Sequence, residues 1–458
     1  WSAFDAGANG VGNDPVGFVM GVFDGRYIYF VPYLNEKEQH HGEVLRYDTT
    51  SNFESPESWS AFDAGANGVG INPVAYEGAV FDGRYVYFVP SGTYQQHTNI
   101  SHSEVLRYDT TLNFESPDSW TTFIPSLYDI GEKTDGYVGA IFDGRYIYFT
   151  PYHNGNEYHG EVLRYDTTSN FESPNSWSTF DVSNYGSDDP DGFEGAAFDG
   201  RYVYFTPTNN GSFFHGEVMR YDTTSNFESP ESWSTFNPSA NGVGNDPVGY
   251  IGAIFDGRYV YFAPHLNNSS YHGEVLRYDT TSNFESPNSW STFDASVNGV
   301  GNNPVGFVMG VFDGRYVYFV PYYNGSLFHG EVLRYDTTSN FESPESWSAF
   351  DAGANGVGVD PDGYATGIFD GRYIYFVPVY NGSFLHGEVL RYDTTSNFES
   401  PESWSAFDAG ENGVGNDPVG YRGATFDGRY VYFVPWKDST GSYHGEVLRY
   451  DTKFLPVM

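Results

Sequence analysis

Three patterns in this chain have the residue types and spacing that chemistry requires. The first is His-Gly-Glu, with histidines at 41, 159, 215, 272, 329, 386 and 444 and the variant His102-Ser-Glu. His and Glu two apart on a strand point the same way, so His41 and Glu43 could share a metal or a proton. One metal needs about three or four protein ligands and each copy supplies two. His41 and Glu43 therefore read first as structural, with the ring hydrogen-bonded to a neighbouring loop.

The second pattern is a set of oxygen donors. The segment Asp48-Thr-Thr-Ser-Asn-Phe-Glu54 suits calcium by donor type, but lacks the glycine and closing glutamate of an EF-hand loop. The same residues equally favour side-chain turns. Asp188, Asp189 and Asp191 form the densest carboxylate cluster and are the cation candidates; Asp360 and Asp362 echo them. No cofactor is expected, and Ca2+ is the one ion these donors suit. The third pattern is aromatic. Tyr33, Tyr94, Tyr152, Phe213, Tyr271, Tyr323, Tyr380 and Trp436 sit beside Asn and His in segments that vary along the chain. Such side chains suit a sugar ring or a protein partner.

The elements that position these residues repeat. Trp1, Trp59, Trp120, Trp177, Trp233, Trp290, Trp347 and Trp404 recur at a spacing of about 57, and FDGRY and RYD segments follow in every unit. Eight units account for the 458 residues, leaving 453–458 as a tail. Each unit reads as four strands: A at Val19–Asp24, B at Arg26–Val31, C at Glu43–Asp48 and D at Trp59–Asp63. Asp24-Gly25 reads as a type I′ turn, and Pro32 as the end of strand B. Phe53 is expected to plug the underside. Helical periodicity is absent.

Four-stranded repeats of this length indicate an all-β, eight-bladed β-propeller of antiparallel strands. The chain opens on strand D and ends after strand C, so residues 1–5 are expected to complete the last blade and close the ring. Residues 1–458 are read as a single domain. At strands B to D the unit resembles a kelch-type blade: an apolar strand A, a DG turn, RYIYF, then Tyr47-Asp48 followed by Trp59. Val31-Pro32 replaces the family's double glycine, and the interval from Tyr47 to Trp59 is longer than usual. The resemblance implies a binding scaffold. The copper oxidases of similar fold need a Tyr–Cys cross-link, and this chain has no Cys. Quinoprotein dehydrogenases likewise need features missing here.

Composition narrows the partners. Sixty acidic residues against 21 basic ones leave a net charge of −39. Such a surface repels nucleic-acid phosphates and anionic lipid, so neither nucleic acid nor membrane insertion is expected. The start at Trp1 reads as that of a processed or excerpted segment. Sixteen of the 21 basic residues are the arginines at Arg26, Arg46 and their equivalents. With Asp24, Glu43 and Asp48 near in sequence, these arginines read as structural ion pairs. Arg26, Arg46, Asp48, Trp59, His41 and Glu43 are thus the structural set.

Differences between copies concentrate in the B–C connections, then in the D–A connections, notably 124–136 and 182–192. In a four-stranded blade both emerge at the same end, and loops on a rigid scaffold are where binding sits. Asn99, Asn210, Asn267, Asn268, Asn324 and Asn381 open Asn-x-Ser triplets there, readable as glycan acceptors or as hairpin turns. No catalytic residue is assigned, because near-equal blades lack an asymmetric constellation. The expected protein is a non-enzymatic, extracellular, multivalent and lectin-like binding module for a glycan or a protein. The alternative is a structural or adhesive subunit of an extracellular assembly that self-associates. An enzyme with a central-channel site is the least favoured reading.

Overall fold

Strand pairing follows the pattern of aromatic and β-branched residues. The structure, a computed structural model, describes residues 1–91 and 103–453. It contains eight four-stranded antiparallel sheets, the blades of an eight-bladed β-propeller, with no α-helix among the described residues. Blade 1 runs Phe18–Phe23 (A), Tyr27–Pro32 (B), Glu43–Asp48 (C) and Trp59–Asp63 (D). Blades 2 to 7 repeat this order. In blade 8, strands Tyr421–Phe426, Tyr430–Pro435 and Glu446–Asp451 are completed by the N-terminal strand Ser2–Asp5, which lies antiparallel to Glu446–Asp451.

Two compact units divide the chain: one holds blades 7, 8, 1 and 2, the other blades 3 to 6. Within each, both faces of a blade are buried against neighbours, which is why strand B is apolar at nearly every position. Strand D carries a Trp and a Phe with separate tasks. Trp59 packs inside its own blade and donates its indole N–H to the Phe53 carbonyl at 2.8 Å. Phe4 of blade 8 stacks on Trp59 of blade 1 (centroids 4.9 Å), and Phe62 of blade 1 on Trp120 of blade 2 (5.0 Å). In the other unit Phe180–Trp233, Phe236–Trp290 and Phe293–Trp347 repeat this at 4.6–4.7 Å. Phe53 is 1% exposed and belongs to this core.

Pro32 ends strand B as its last residue, paired with Phe18, where its missing N–H falls at the strand end. Two local expectations need correction. The Asp24-Gly25 turn is not type I′: only Gly25 has positive φ, and the Asp24 carboxylate accepts the N–H groups of Arg26 and Tyr27. The two arginines also behave differently. Arg26 donates to both oxygens of Asp48, from Nε at 3.3 Å and Nη2 at 2.7 Å. The register pairs Tyr27 with Asp48, which brings that carboxylate to the adjacent Arg26. Arg46 forms no ion pair with Asp48. Its guanidinium lies 4.3 Å from the Tyr27 ring and 4.2 Å from that of Phe114 in blade 2, and it bonds Ser60 Oγ. Partial burial pushes the Asp48 carboxyl up, but the bonds from Arg26 and Thr50 outweigh it and hold the carboxyl below the ordinary aspartate value. The arginines equivalent to Arg26 keep 49–57% of their side chains exposed, so they remain surface charge.

Candidate functional site

The loops at the B–C and D–A end are built on His-Gly-Glu. Glu43, 4% exposed, accepts the backbone N–H groups of Asn13 and Asp14 at 2.8 and 2.7 Å. Glu104, Glu161, Glu217, Glu274, Glu331, Glu388 and Glu446 hold their D–A loops in the same way. Gly12 has φ +76, and a Cβ there would come within 2.9 Å of Glu43 Oε1, so the loop closes on the carboxylate only through glycine. Burial raises the Glu43 carboxyl, and the two amide bonds pull it back down.

His41 ties two loops together. The His41 ring bonds the Val16 carbonyl at 2.9 Å, in the loop entering its own blade, while its backbone carbonyl accepts the Ala75 N–H from the loop entering blade 2. The rings of His159, His215 and His329 make the same kind of bond, whereas Nε2 of His272, His386 and His444 has no hydrogen-bond partner among the described residues. Burial pushes His41, His159, His215, His329 and His386 down to about 4, so they are neutral. Gly42 completes the motif: a Cβ there would meet the Pro73 carbonyl at 2.1 Å. Serine replaces it in blade 2, where Ser103 Oγ bonds Ser126 Oγ at 3.1 Å in a D–A loop of different sequence. In the copies at His41, His159, His215 and His329, ring and carboxylate are both committed to the backbone.

The described B–C loops are short hairpins. Asn210 Oδ1 accepts the N–H groups of Ser212 and Phe213, and Gly211 takes φ +90. Asn154, Asn267, Asn324 and Asn381 make the same turn. Asn268 instead bridges two loops, exchanging hydrogen bonds with the Phe214 backbone. In several copies the residue before the histidine packs on the next blade: Tyr271 lies 5.0 Å edge-on to Tyr323, and Tyr443 packs beside Gly17.

The aromatic candidates are divided by this packing. Tyr33, Tyr152, Tyr271, Tyr323, Tyr380 and Trp436 are half-buried within the loop hairpins. Tyr33 packs edge-on to His40 and Tyr152 to Tyr158. Phe213 is exposed, and Tyr94, Asn99 and His102 lie outside the described residues. The fully accessible positions are mostly ones that aromaticity did not flag. Phe213, Leu327 and Phe384 at B–C tips, with Ile71, Leu127, Tyr128, Val297 and Val359 in D–A loops, are 40–82% exposed. At the opposite end the C–D loops expose one comparable side chain among the described residues, Leu112. Their signal in the sequence is an apolar residue where sister loops carry Asn, Ser or Glu.

Asp188, Asp189 and Asp191 do not converge. The Asp188 carboxylate accepts from the Asn237 amide. Asp189 takes φ +54. The carboxyl of Asp191, 6% exposed, is raised by burial to about 7. No three His, Asp or Glu side chains gather as metal ligands among the described residues.

One cluster breaks the repeat. Arg422, outside the sixteen repeated arginines, extends from strand A of blade 8 and pairs with Glu77 of blade 2 at 3.1 Å. Its guanidinium lies 5.6 Å from the ring of Tyr33 and 5.5 Å from that of Trp436. Lys437 Nζ sits 5.0 Å from the same indole and 4.8 Å from the Tyr443 ring. Two of the aromatic candidates, Tyr33 and Trp436, are thus joined around a held cation. Sequence reasoning saw Arg422 as unrepeated but had no means of placing it.

No family model and no curated protein matches the chain. Among solved structures it is similar to the computationally designed Ika8 protein, at 8% identity and a TM-score of 0.55, over 97% of this chain and 98% of that one. That likeness concerns the fold alone.

Proposed function

We propose that the protein is a non-enzymatic binding scaffold that engages protein partners through its B–C and D–A loops. The observation that carries this reading is the concentration of exposed Ile, Leu, Val, Tyr and Phe in those loops, against a nearly apolar-free C–D end. The loops are pinned by His, Glu and Asx turns, so little ordering entropy opposes association. Neighbouring blades present similar tips, which suits a multivalent ligand. The kelch-like repeat supports the same reading, since such blades serve as scaffolds. Beside the Arg422–Glu77 pair, Lys437 over the Trp436 and Tyr443 rings adds a positively charged anchor on a strongly acidic chain, and it favours a partner with acidic side chains.

Protein is the preferred partner class over glycan, because the most exposed loop side chains are aliphatic and offer no aromatic face for a sugar. A glycan array with calorimetry, with and without Ca2+, checks this; sugar binding lost on Trp436→Ala or Tyr323→Ala would replace the protein reading. We assign the protein to the extracellular side of the cell as part of the same proposal. A structural, self-associating subunit is the second reading, favoured by the same exposed apolar loops. Light scattering at high concentration and high salt separates the two: growth of assemblies that Val359→Ser or Phe384→Ser abolishes would favour self-association.

A further inference from the structure

Blade 7 keeps the polar residues of its loop end but not their bonds. In blade 4 the Asn210 amide donates to the Asp188 carbonyl at 2.9 Å, and the Asp188 carboxylate accepts from Asn237. In blade 8 the Asp417 carboxylate accepts the Ser439 N–H and hydroxyl at 2.9 and 2.6 Å. The blade 7 equivalents are Asn381 and Asp360. Asn381, 8% exposed, accepts the N–H groups of Ser383 and Phe384 at Oδ1, yet its Nδ2 has no hydrogen-bond partner among the described residues. Neither ring nitrogen of His386, 3% exposed, has one. The Asp360 N–H is held by Glu388, but its carboxylate accepts no hydrogen bond among the described residues. Buried polar groups are bonded as a rule, so such orphans mark a place for a ligand.

Asn381, His386 and Asp360 line one recess of about 60 Å³, the room of about two water molecules. Glu388, Asp408 and Glu411 complete its polar wall, and no Lys or Arg lines it among the described residues. Both oxygens of Glu388 are spent on the Val359 and Asp360 amides, and Asp408 Oδ1 accepts the Glu411 N–H at 3.0 Å. Asp360, Glu411 and the second Asp408 oxygen are left for an occupant. Glu411 breaks the repeat, since sister loops carry Ala8, Ala66, Val297 and Ala354 there. Carboxylates crowded without a counter-charge favour a cation. A metal ion does not suit them, because no three His, Asp or Glu side chains gather as metal ligands among the described residues. Val359 and Phe384 also line the recess and are 82% and 56% exposed, an apolar collar for the aliphatic stem of a larger cation.

We propose that this recess takes a lysine side chain from a partner protein. The ammonium group pairs with Asp360, Asp408 and Glu411, the methylene stem lies against Val359 and Phe384, and a backbone carbonyl of the same segment accepts from Asn381 Nδ2. An ammonium with its last methylene suits the space, whereas the wider guanidinium fork of arginine does not. The lysine site belongs to the loop-end surface proposed above and depends on that reading. The Lys437 corner of the adjacent blade 8 asks for the opposite charge, so the two together select a segment of mixed charge.

The test is calorimetry of the full chain with the peptide acetyl-Gly-Ser-Lys-Ser-Gly-amide and with its norleucine and arginine analogues, at low and high salt. The lysine peptide is expected to bind about tenfold tighter than the norleucine one at low salt, with a smaller margin at high salt. Glu411→Ala, which installs the residue of the sister loops, and Asp360→Asn are each expected to weaken it about fivefold. Glu57→Ala removes the same charge from the exposed C–D end and is expected to leave binding unchanged, which separates the recess from general attraction to an acidic chain. No binding of the lysine peptide, equal binding of the norleucine peptide, tighter binding of the arginine peptide, or equal losses in Glu411→Ala and Glu57→Ala would each overturn the proposal. Display-selected ligands that need Val359 and Phe384 but ignore Glu411→Ala would defeat the lysine site alone, whereas ligands indifferent to all three would defeat the loop-end reading as well.

Discussion

The rings of Phe407 and Trp1 lie 4.7 Å apart and 2° from parallel, so the first residue of the chain stacks on the last complete strand D. The same Phe-to-Trp contact links Phe4 to Trp59 at 4.9 Å. The two tryptophans differ in what else they hold. Trp59 is 5% exposed and bonded to Phe53, whereas Trp1 is half-buried. Trp59→Ala is expected to cost about 3–5 kcal/mol, the range for truncating a buried large aromatic. Trp1→Ala is expected to cost less, about 1–3 kcal/mol. Urea unfolding of both variants checks the order.

The Glu43 clamp gives a local expectation. Glu43→Ala leaves the amides of Asn13 and Asp14 without their acceptor, at an expected cost of about 1–3 kcal/mol. Hydrogen exchange at those two amides should accelerate, while those of strand B stay protected.

The repeated arginines should separate sharply. Arg26→Ala removes an exposed ion pair and is expected to change stability little, less still at high salt. Arg46→Ala strips a guanidinium from between Tyr27 and Phe114, at an expected cost of about 1–2 kcal/mol. Comparing the two variants at low and high salt decides it.

Acid should weaken the fold through its histidines. His41, His159, His215, His329 and His386 titrate near 4 when folded and near 6.5 when unfolded, so the unfolded chain binds more protons between those values. Stability is therefore lost as pH falls from about 6.5 toward 4. Glu43, Glu161, Glu331 and Glu446 act in the opposite sense, since burial raises them and acidification relieves their cost. Asp191, raised to about 7, makes Asp191→Asn stabilising at pH 8, by about 1–3 kcal/mol. Unfolding midpoints from pH 4 to 8, with and without Asp191→Asn, check all three signs.

Much of the fold was legible because its signals are repeated. Strands C and D begin and end where Glu43–Asp48 and Trp59–Asp63 suggested, since aromatic runs bounded by Gly and Pro leave little choice. Partner choice was less legible. Arg46 and Asp48 are close in sequence, yet the ladder places Asp48 beside Arg26 and hands Arg46 to two rings. The loops were harder still. Tyr271 and Tyr323 look like ligand platforms in sequence but pack against each other across blades, while Val359 and Leu327 look unremarkable and are exposed. Exposure depends on which neighbour covers a residue, and one strand's sequence does not carry that.

The most direct measurement concerns the loop end itself. Ligands selected on the intact protein from a peptide-display library should be measured by calorimetry against Phe384→Ser, Val359→Ser and, at the C–D end, Leu112→Ser. Binding weakened tenfold or more by the first two and unchanged by the third is the expected result. Ligands indifferent to Phe384 and Val359 but lost with Leu112 would contradict the assignment of binding to the B–C and D–A loops.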